Sequence, residues 1–368
     1  MKHILDRVER CRQAMERQGL DGLVLFNQEK QGWVNLCYLS GFQGTHGALL
    51  ITKQEALLCT DSRYTLQASE TSPLELLPQP AKTTLFDVAS QWISKFGLKK
   101  VGFDGGKLSA ADYLRVQSFG PQWVDFALDL AELRRKKDAV EIEAIKKASD
   151  IAAQAYLDTL PLVKPGMKEA EFAKLVELAI ARHDGEGVWH DGGMIVASGV
   201  RSALPHGRAS TKEMQLGEQV TVDYGSIYHA YQSDITRNFT LGKLKDSLFE
   251  DIHALLFEAH TAAAKALKPG VRGCDVDKVA RDIIAAAGYG PNFGHGLGHS
   301  FGLEIHEEPR LSPTYSGELR VGDVVTIEPG IYIDGRGGLR LEDDYLITET
   351  GAERLTSALS QEFIHLDL

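Results

Sequence analysis

The segment from Val220 to Glu342 decides the fold, because it holds four short stretches in which aliphatic residues alternate with polar ones. They are VTVDYG (Val220–Gly225), QSDITRNFTL (Gln232–Leu241), VVTIEPG (Val324–Gly330) and GLRLEDDYLIT (Gly338–Thr348). Alternation of this kind predicts β-strands, in which successive side chains point to opposite faces of the sheet. The four strands are therefore expected to place carboxylates on one face and aliphatic side chains on the other.

The first two stretches predict a pair of facing aspartates. Asp223 and Asp234 are equidistant from the dipeptide Tyr228-His229. A two-residue hairpin turn at that dipeptide would set the aspartates directly opposite each other, with Cβ atoms about 4.5–5.5 Å apart.

The other two stretches predict a pair of facing glutamates. Glu328 and Glu342 are symmetric about Gly335, which lies in a turn-rich run. Like charges that face each other are destabilising, so both pairs predict a bound cation or carboxyl groups with raised pKa values. The alternative is four solvated carboxylates on exposed sheet faces.

A histidine-rich segment, HGLGHSFGLEIH (His295–His306), lies between the two strand pairs. A carboxylate-dominated site with added imidazole suits Mn, Co, Fe(II) or Zn rather than a thiolate zinc site. Four carboxylates exceed the usual need of one ion, so they predict two ions that share carboxylates. From the residues alone, His295, His299 or His306 could be the nitrogen ligand.

Length and composition limit the class of protein. At 368 residues the chain is long enough for two domains. Its net charge of −11 and its lack of a long basic run argue against nucleic acid and anionic membranes as partners. The amino-terminal segment has no apolar core typical of a secretory signal, and the four cysteines match no zinc spacing. Together these features predict a cytoplasmic protein with buried free thiols.

Domain organisation is indicated by a change of pattern near residue 130. Residues 1–130 alternate strand and helix patterns, which predicts an α/β domain. The basic run Arg134–Lys137 is predicted to be a solvated linker. After it, Asp138 with Glu141 three residues later predicts the capped start of a long helix.

The second part of the chain contains an internal echo. A helix, a Lys-Pro-Gly turn and a second helix occur at Leu160–His183 and again at Leu267–Ala287. Each helix pair leads into a histidine segment and then a strand pair. The echo predicts two related αα-ββ halves with a shared site on a pseudo-twofold axis, the alternative being coincidence of a common turn.

The motifs VDYG…SDITR, HGLGHSFGLEIHEEP, TIEPGIY, LRLED and ASGVRSALPHG (Ala197–Gly207) carry a resemblance over essentially the whole chain. They resemble the motif set of the pita-bread metallopeptidase family, and within it the Xaa-Pro group of aminopeptidase P and prolidase. The resemblance implies a non-catalytic α/β domain at residues 1–130, a pita-bread catalytic domain at residues 131–368, and a homodimer. The amino-terminal domain argues against a methionine aminopeptidase.

The resemblance also implies roles for individual residues. The implied metal ligands are Asp223, Asp234, His299, Glu328 and Glu342, and the implied substrate-site histidines are His206, His295 and His306. In the family pattern Asp234 and Glu342 bridge two ions, while Asp223 binds one ion and His299 with Glu328 binds the other. Manganese is the expected metal, with Co, Zn or Fe as alternatives.

The implied reaction is hydrolysis of peptides that have proline at the second position. Water activated by the ions attacks the carbonyl carbon before proline, His206 or His306 helps to stabilise the oxyanion, and Glu328 moves the proton to the proline nitrogen. Arg340 orients the bridging carboxylates, binds substrate or forms a structural ion pair. His190 and Asp191 either tune specificity or belong to a surface loop, and Tyr231 is given no role.

Four activities are compatible with this fold. An Xaa-Pro aminopeptidase is the first expectation and an Xaa-Pro dipeptidase, or prolidase, is the alternative. A binding module that has lost its metal and a metal-free, creatinase-like C–N hydrolase are disfavoured, because all five implied ligands are present.

Overall fold

The computed structural model describes residues 1–189 and 193–367 and divides the chain into two compact units, Met1–Arg134 and Arg135–Leu368. His190 and Asp191, considered above as specificity residues, lie outside the described residues. Within the described ranges, no helix is long and apolar enough to cross a lipid bilayer.

The first unit is built on one mixed six-stranded sheet. The strands are β1 (Gly22–Gln28), β2 (His46–Thr52), β3 (Ala56–Thr60), β4 (Glu75–Pro78), β5 (Lys100–Phe103) and β6 (Gln122–Asp125), and the helices are α1 (Lys2–Gln18), α2 (Trp33–Ser40), α3 (Thr65–Thr71), α4 (Leu85–Phe96), α5 (Ala110–Gln117) and α6 (Ala127–Arg135). The strand order is β4-β3-β2-β1-β5-β6, with β2 antiparallel to β1 and to β3. The predicted α/β class of this unit is confirmed.

Over its described residues, the second unit contains four long helices and four sheets. The helices are α7 (Ala139–Thr159), α8 (Glu169–Arg182), α9 (Leu248–Ala266) and α10 (Gly273–Ala286), and the strands are β7 (Ile195–Ser198), β8 (Gln219–Tyr224), β9 (Ile227–Tyr228), β10 (Tyr231–Gln232), β11 (Ile235–Leu241), β12 (Gly298–Ser300), β13 (Glu307–Leu311), β14 (Val324–Ile327), β15 (Gly330–Ile333), β16 (Gly337–Arg340), β17 (Asp343–Ile347), β18 (Ala352–Arg354) and β19 (Ile364–Leu366). The larger sheets have the orders β19-β11-β8-β7 and β13-β12-β14-β17-β18.

Two separate hydrophobic cores confirm the predicted αα-ββ halves. One core joins α7 and α8 to strands β7, β8 and β11, and the other joins α9 and α10 to β14, β16 and β17. Apolar area removed from water stabilises each core by roughly 25 cal/mol per Å². Each half therefore has a hydrophobic core of its own.

The Lys-Pro-Gly turns are equivalent in structure as well as in sequence. Gly166 and Gly270 both have left-handed backbone, with φ of 84° and 83°, a conformation that glycine adopts without steric cost. Their amides donate to Met214 and Leu319, each at 2.8 Å. The repeated geometry supports the echo read from the sequence.

The long hairpin about Gly335 has the predicted register. Strands β15 and β16 pair Gly330 with Arg340, and β14 and β17 pair Ile327 with Asp343. The same register sets Glu328 opposite Glu342. The hairpin passes from one sheet to another at this level, and Glu342 forms a bridge there to Thr236.

The predicted register of the aspartate hairpin is wrong by one position at the turn. The turn lies at His229-Ala230, where both residues have positive φ, and not at Tyr228-His229. Asp223 consequently pairs with Thr236. Asp234 lies two residues before Thr236 on the same face, so the aspartates are diagonal neighbours. Glu186 stabilises the turn by accepting hydrogen bonds from the amides of both turn residues at 3.0 Å.

The basic run Arg134–Lys137 was expected to be a solvated linker. This expectation is wrong for Arg135 and Lys137, which lie at the start of the second unit. Arg135 and Lys137 are buried. Arg135 pairs with Asp323 at 2.8 Å and Lys137 with Glu307 at 2.8 Å, because a buried cation needs a partner charge. The predicted capping box of Asp138 and Glu141 is confirmed directly after this segment.

Candidate metal centre

Three residues from different strands converge on one buried point in the second unit. Ligand atoms of Asp234, His299 and Glu342 all lie within 4.8 Å of one another. Asp234 precedes β11, His299 lies in β12 and Glu342 precedes β17, so both carboxylates lie at interruptions of their strands. These interruptions let residues from separate sheets approach one another.

The imidazole of His299 is held with one nitrogen available to a ligand. Its Nδ1 lies 3.2 Å from the Ser300 carbonyl oxygen, which assigns the N–H to Nδ1. Its Nε2 lies 3.7 Å from Asp234 and 3.3 Å from Glu328. Burial, with a smaller contribution from His306, lowers the pKa of His299 to about 3. The ring is therefore neutral at physiological pH, as a metal ligand must be.

The carboxylates around this histidine resist ionisation. Burial is the largest cause in each case. It raises the pKa of Glu328 to about 8, and it raises the pKa of Asp234 and of Glu342 well above the ordinary range, with further increases from neighbouring carboxylates. Acidic groups placed together at this cost are typical of functional sites.

Asp223 is a further buried carboxylate of this set. Burial raises its pKa, which the neighbouring Arg340 opposes. One of its oxygens pairs with Arg340. Among the residues that the structure describes, none donates a hydrogen bond to the other oxygen, Oδ1. Asp223 in turn raises the pKa values of Asp234, Glu328 and Glu342.

Arg340 is a buried guanidinium whose donors are directed at the site. Besides Asp223 it donates to the Thr236 hydroxyl at 3.1 Å, to the Tyr332 hydroxyl at 2.6 Å and to the Pro205 carbonyl at 3.1 Å. Its side chain is only 4% exposed. These contacts hold Arg340 against Asp223, and its roles in orienting the carboxylates and in binding substrate stay predictions.

The three substrate-site histidines predicted from the resemblance surround the cluster. The rings of His306 and His299 are 4.4 Å apart between centroids. His295 Nε2 lies 3.2 Å from the Tyr332 hydroxyl, and burial lowers its pKa to about 4. His206 is exposed, and its electrostatic interaction opposes the rise in the pKa of Asp223 and adds to the fall in the pKa of His295.

The donor set fits divalent metal ions. It offers carboxylate oxygens, one neutral imidazole nitrogen and an unpartnered buried oxygen on Asp223. Oxygen-rich sites with imidazole suit Mn, Fe, Co and Zn. Bound cations would favour the ionised carboxylates that burial now disfavours.

Three contributors were not identified from the sequence. Thr236 donates to Glu342 at 2.6 Å and accepts from Arg340, and its position in phase with Asp234 was the available signal. Tyr332 links Arg340 to His295. Arg310 is the cross-strand partner of His299, so its side chain shares the face of that histidine. Tyr332 and Arg310 can be assigned to the site only once the strand register is known.

Family models match both units of the chain. The model described as metallopeptidase family M24 matches residues 143–349. The model described as the creatinase/prolidase N-terminal domain matches residues 7–136.

Individual relatives match over nearly the full length. An Xaa-Pro dipeptidase of Pyrococcus furiosus is 35% identical over 95% of this chain and 97% of its own. Among solved structures, an X-Pro aminopeptidase from Thermotoga maritima has a TM-score of 0.90 at 35% identity, covering 96% of this chain and 100% of that one. An Xaa-Pro dipeptidase from Bacillus anthracis has a TM-score of 0.91 at 36% identity, covering 99% and 100%. The predicted pita-bread fold is thereby confirmed, and the chain belongs to metallopeptidase family M24.

Proposed function

We propose that this protein hydrolyses the peptide bond before a proline at the second position, using two divalent metal ions. The observation that carries the proposal is the convergence of Asp234, His299 and Glu342 at one buried point. Asp223 and Glu328 would complete the ligand set. Similarity to proteins named Xaa-Pro dipeptidase and X-Pro aminopeptidase supports proline as the second residue.

The ions would supply Lewis acidity and a water of lowered pKa, and the remaining chemistry belongs to the side chains. Glu328, which lies 3.3 Å from the His299 Nε2, would accept a proton from the attacking water as a carboxylate and release it to the departing proline nitrogen. His306, whose ring lies 4.4 Å from that of His299, would donate a hydrogen bond to the developing oxyanion. His206 is a second candidate for that hydrogen bond.

A buried hydrogen-bond chain fixes two of the proposed metal ligands and His295 before substrate arrives. Arg340 holds Asp223, Thr236 holds Glu342, and Tyr332 connects Arg340 to His295. Groups fixed in advance need no reorganisation during reaction, which is where electrostatic catalysis gains its strength.

We further propose that dipeptides are better substrates than longer peptides. A dipeptide presents the proline carboxylate next to the scissile bond, so the site should offer a cation there. Arg310 lies opposite His299 across the β12–β13 pair, and its side chain is 37% exposed. Its contact with Glu308 is long, at 3.7 Å, and both side chains are exposed to water. Arg310 therefore favours the prolidase reading over the aminopeptidase that was the first expectation.

The test compares Ala-Pro, its amide Ala-Pro-NH2, and Ala-Pro-Ala. The metal-stripped protein should be inactive, and titration with Mn, Co or Zn should restore hydrolysis as about two ions bind per chain. Ala-Pro should have the highest kcat/KM and its amide should behave like the tripeptide. A chain that binds no stoichiometric divalent ion would instead be a binding module or a metal-free hydrolase.

Replacing Arg310 should separate these substrates. Arg310→Ala is expected to lower kcat/KM for Ala-Pro roughly 10- to 100-fold, since a charged hydrogen bond is worth about 1.5–3 kcal/mol. The values for Ala-Pro-NH2 and Ala-Pro-Ala should change little. Arg310→Lys is the matched control, because it keeps the charge. Equal losses for all three substrates would mean that Arg310 supports the metal cluster and does not bind the carboxylate.

Location and assembly stay predictions. All four cysteines are free and three are buried, while Cys274 is partly exposed. Free thiols favour the reducing cytosol that was predicted. The homodimer is likewise still a prediction.

A further inference from the structure

We propose that each half of the catalytic unit uses one buried carboxylate on its second helix to position the loop that carries a substrate-site histidine. Glu169 on α8 would position the loop of His206, and Asp277 on α10 would position the loop of His295. The functional consequence rests on the peptidase activity proposed above. The structural consequence can be measured without it.

Glu169 is fully buried and accepts five hydrogen bonds from one loop. Its Oε1 accepts from the amide and the hydroxyl of Ser198, both at 2.8 Å. Its Oε2 accepts from the guanidinium of Arg201, and from the amide and the hydroxyl of Ser210 at 3.2 and 2.7 Å. The five donors come from both ends and the first turn of residues 198–210.

His206 lies near the tip of this loop, between the anchored residues. Arg201 donates to the Arg208 carbonyl at 3.0 Å, and the Arg208 amide donates to the His206 carbonyl at 2.9 Å. On its other side the loop receives the bond from Arg340 to the Pro205 carbonyl. Glu169 thus fixes the base of a loop whose tip is attached to the metal-site network.

Asp277 has the corresponding positioning role in the second half. It is 1% exposed and forms a two-pronged ion pair with Arg281, at 2.7 and 2.8 Å. It also accepts from the Leu297 amide at 3.0 Å. Arg281 donates in turn to the carbonyls of Phe293 and His295, at 2.9 and 2.7 Å. The pair therefore holds the backbone on both sides of the His295 side chain.

The two carboxylates lie one helical turn apart when the Lys-Pro-Gly turns are aligned, and the structure shows why. Glu169 is the first residue of α8, and the equivalent residue of α10 is Gly273. A Cβ atom at Gly273 would meet the Arg310 carbonyl oxygen at 2.1 Å, so no side chain fits there. The acidic group of the second half is found instead on the next turn, at Asp277.

Burying Glu169 and Asp277 destabilises the fold unless these carboxylates have a positioning role. A buried carboxylate must recover its desolvation cost through hydrogen bonds, and apolar residues of similar volume would fill α8 and α10 without that cost. The carboxylates instead position the loops: Glu169 accepts hydrogen bonds from several points of one loop, and Asp277 together with Arg281 holds several points of the other. A displacement of about 1 Å at a catalytic group can cost roughly 100-fold in rate.

The first experiment measures hydrogen exchange by mass spectrometry on the metal-loaded protein. Glu169→Gln turns acceptor positions into donors while preserving shape, so amide exchange in residues 198–210 should accelerate. Asp277→Asn should accelerate exchange in residues 290–298. Each variant should leave the other loop at the wild-type rate.

Two matched controls carry the same chemical changes on the same helices. Glu177→Gln on α8 disrupts an exposed pair with Lys174, and Asp282→Asn on α10 disrupts an exposed pair with Lys278. Neither should alter exchange in the two loops. Arg281→Lys keeps the charge but loses the two-pronged geometry, so it tests the second half if Asp277→Asn folds poorly. Ser210→Ala serves the same purpose for the first half.

The second experiment measures Ala-Pro hydrolysis and bound metal in the same proteins. Glu169→Gln should lower kcat by roughly 10- to 100-fold with metal content unchanged, because His206 is one of the two candidates for the hydrogen bond to the oxyanion. Asp277→Asn should act mainly by raising KM through His295. Wild-type exchange rates in both loops of folded variants would overturn the positioning role, and so would faster exchange throughout the unit with loss of metal. Wild-type protein inactive on every Xaa-Pro substrate would defeat the peptidase proposal but leave the exchange result standing.

Discussion

Asp234→Asn is expected to lose metal and activity together, with kcat/KM for Ala-Pro falling by more than about 100-fold. That value is the upper end of the loss usually seen when a group outside the ligand set is replaced, and Asp234 is proposed to be a ligand shared by both ions. An amide oxygen carries no net charge and neutralises neither ion. Atomic metal analysis after dialysis, together with initial rates, measures both effects.

The same variant should be more stable than the wild type once metal has been stripped from both. Burial and four neighbouring carboxylates raise the pKa of Asp234, so its ionised form is unfavourable without a cation. The amide removes that cost. With Mn present the order should reverse, because only the wild type gains the full free energy of binding. Thermal unfolding of both proteins with and without Mn measures this reversal in their order of stability.

Asp158→Asn is the matched control, since Asp158 is exposed and pairs with His183 at the surface. It should change neither metal content nor rate. The bridging assignment of Asp234 would be wrong if Asp234→Asn retained two ions per chain and the full peptidase rate.

The contrast between the two hairpins shows which features of the site can be predicted from sequence. The glutamate pair was predicted correctly because Gly335 centres a turn-rich segment, and the register of a hairpin follows from its turn. The predicted pairing of the two aspartates was wrong because the turn of their hairpin uses His229 and Ala230 in left-handed conformations. Neither residue type signals that conformation, and the carboxylate of Glu186 that stabilises it comes from a distant part of the chain.

Side chains that work through long-range pairing were the least predictable. Arg340 could be placed in phase with Glu342, yet its four acceptors come from separate segments, including Pro205 and Tyr332. Arg135 and Lys137 looked like a solvated run because their partners, Asp323 and Glu307, are more than 150 residues away. Local charge patterns carry no information about such partners.

The residue types alone also could not decide which of the three histidines is the proposed metal ligand. His299 and His295 both have Nδ1 next to the carbonyl of the following residue, but the His299 Nε2 faces Asp234 and Glu328 whereas the His295 Nε2 faces the Tyr332 hydroxyl. That orientation depends on the short strand β12 and on the approach of β14. Strand periodicity predicts the face of a residue, but the approach of two sheets depends on packing across the whole unit.

Metal removal should make stability fall as pH rises, between about pH 7 and about pH 8.5, whereas the Mn-loaded protein should show little change there. Asp234, Glu328 and Glu342 have folded pKa values above their ordinary ones. The folded state then binds more protons than the unfolded state, so stability is greatest below the unfolded pKa values and is lost through the folded ones. Each group contributes up to about 1.4 kcal/mol per pH unit.

The pH window follows from the other titrating groups. Buried histidines such as His299 have lowered pKa values and act in the opposite direction, but their effect ends above the unfolded value of 6.5. Buried thiols such as Cys11 have raised pKa values and destabilise the fold only as the unfolded thiol ionises near 9. Between these limits the slope comes from buried carboxyl groups with raised pKa values, those of the metal centre together with Asp344.

Urea unfolding of chelator-treated and Mn-loaded protein at several pH values measures this slope, since free energies extrapolated to water can be compared directly. Asp234→Asn provides an internal control: in the stripped state its slope should be shallower, because one raised carboxyl group is gone. Stability that stayed constant or rose with pH in the stripped protein would contradict the prediction. It would mean that Arg340 and the surrounding hydrogen bonds already stabilise the ionised carboxylates, so that a cation would add little to them.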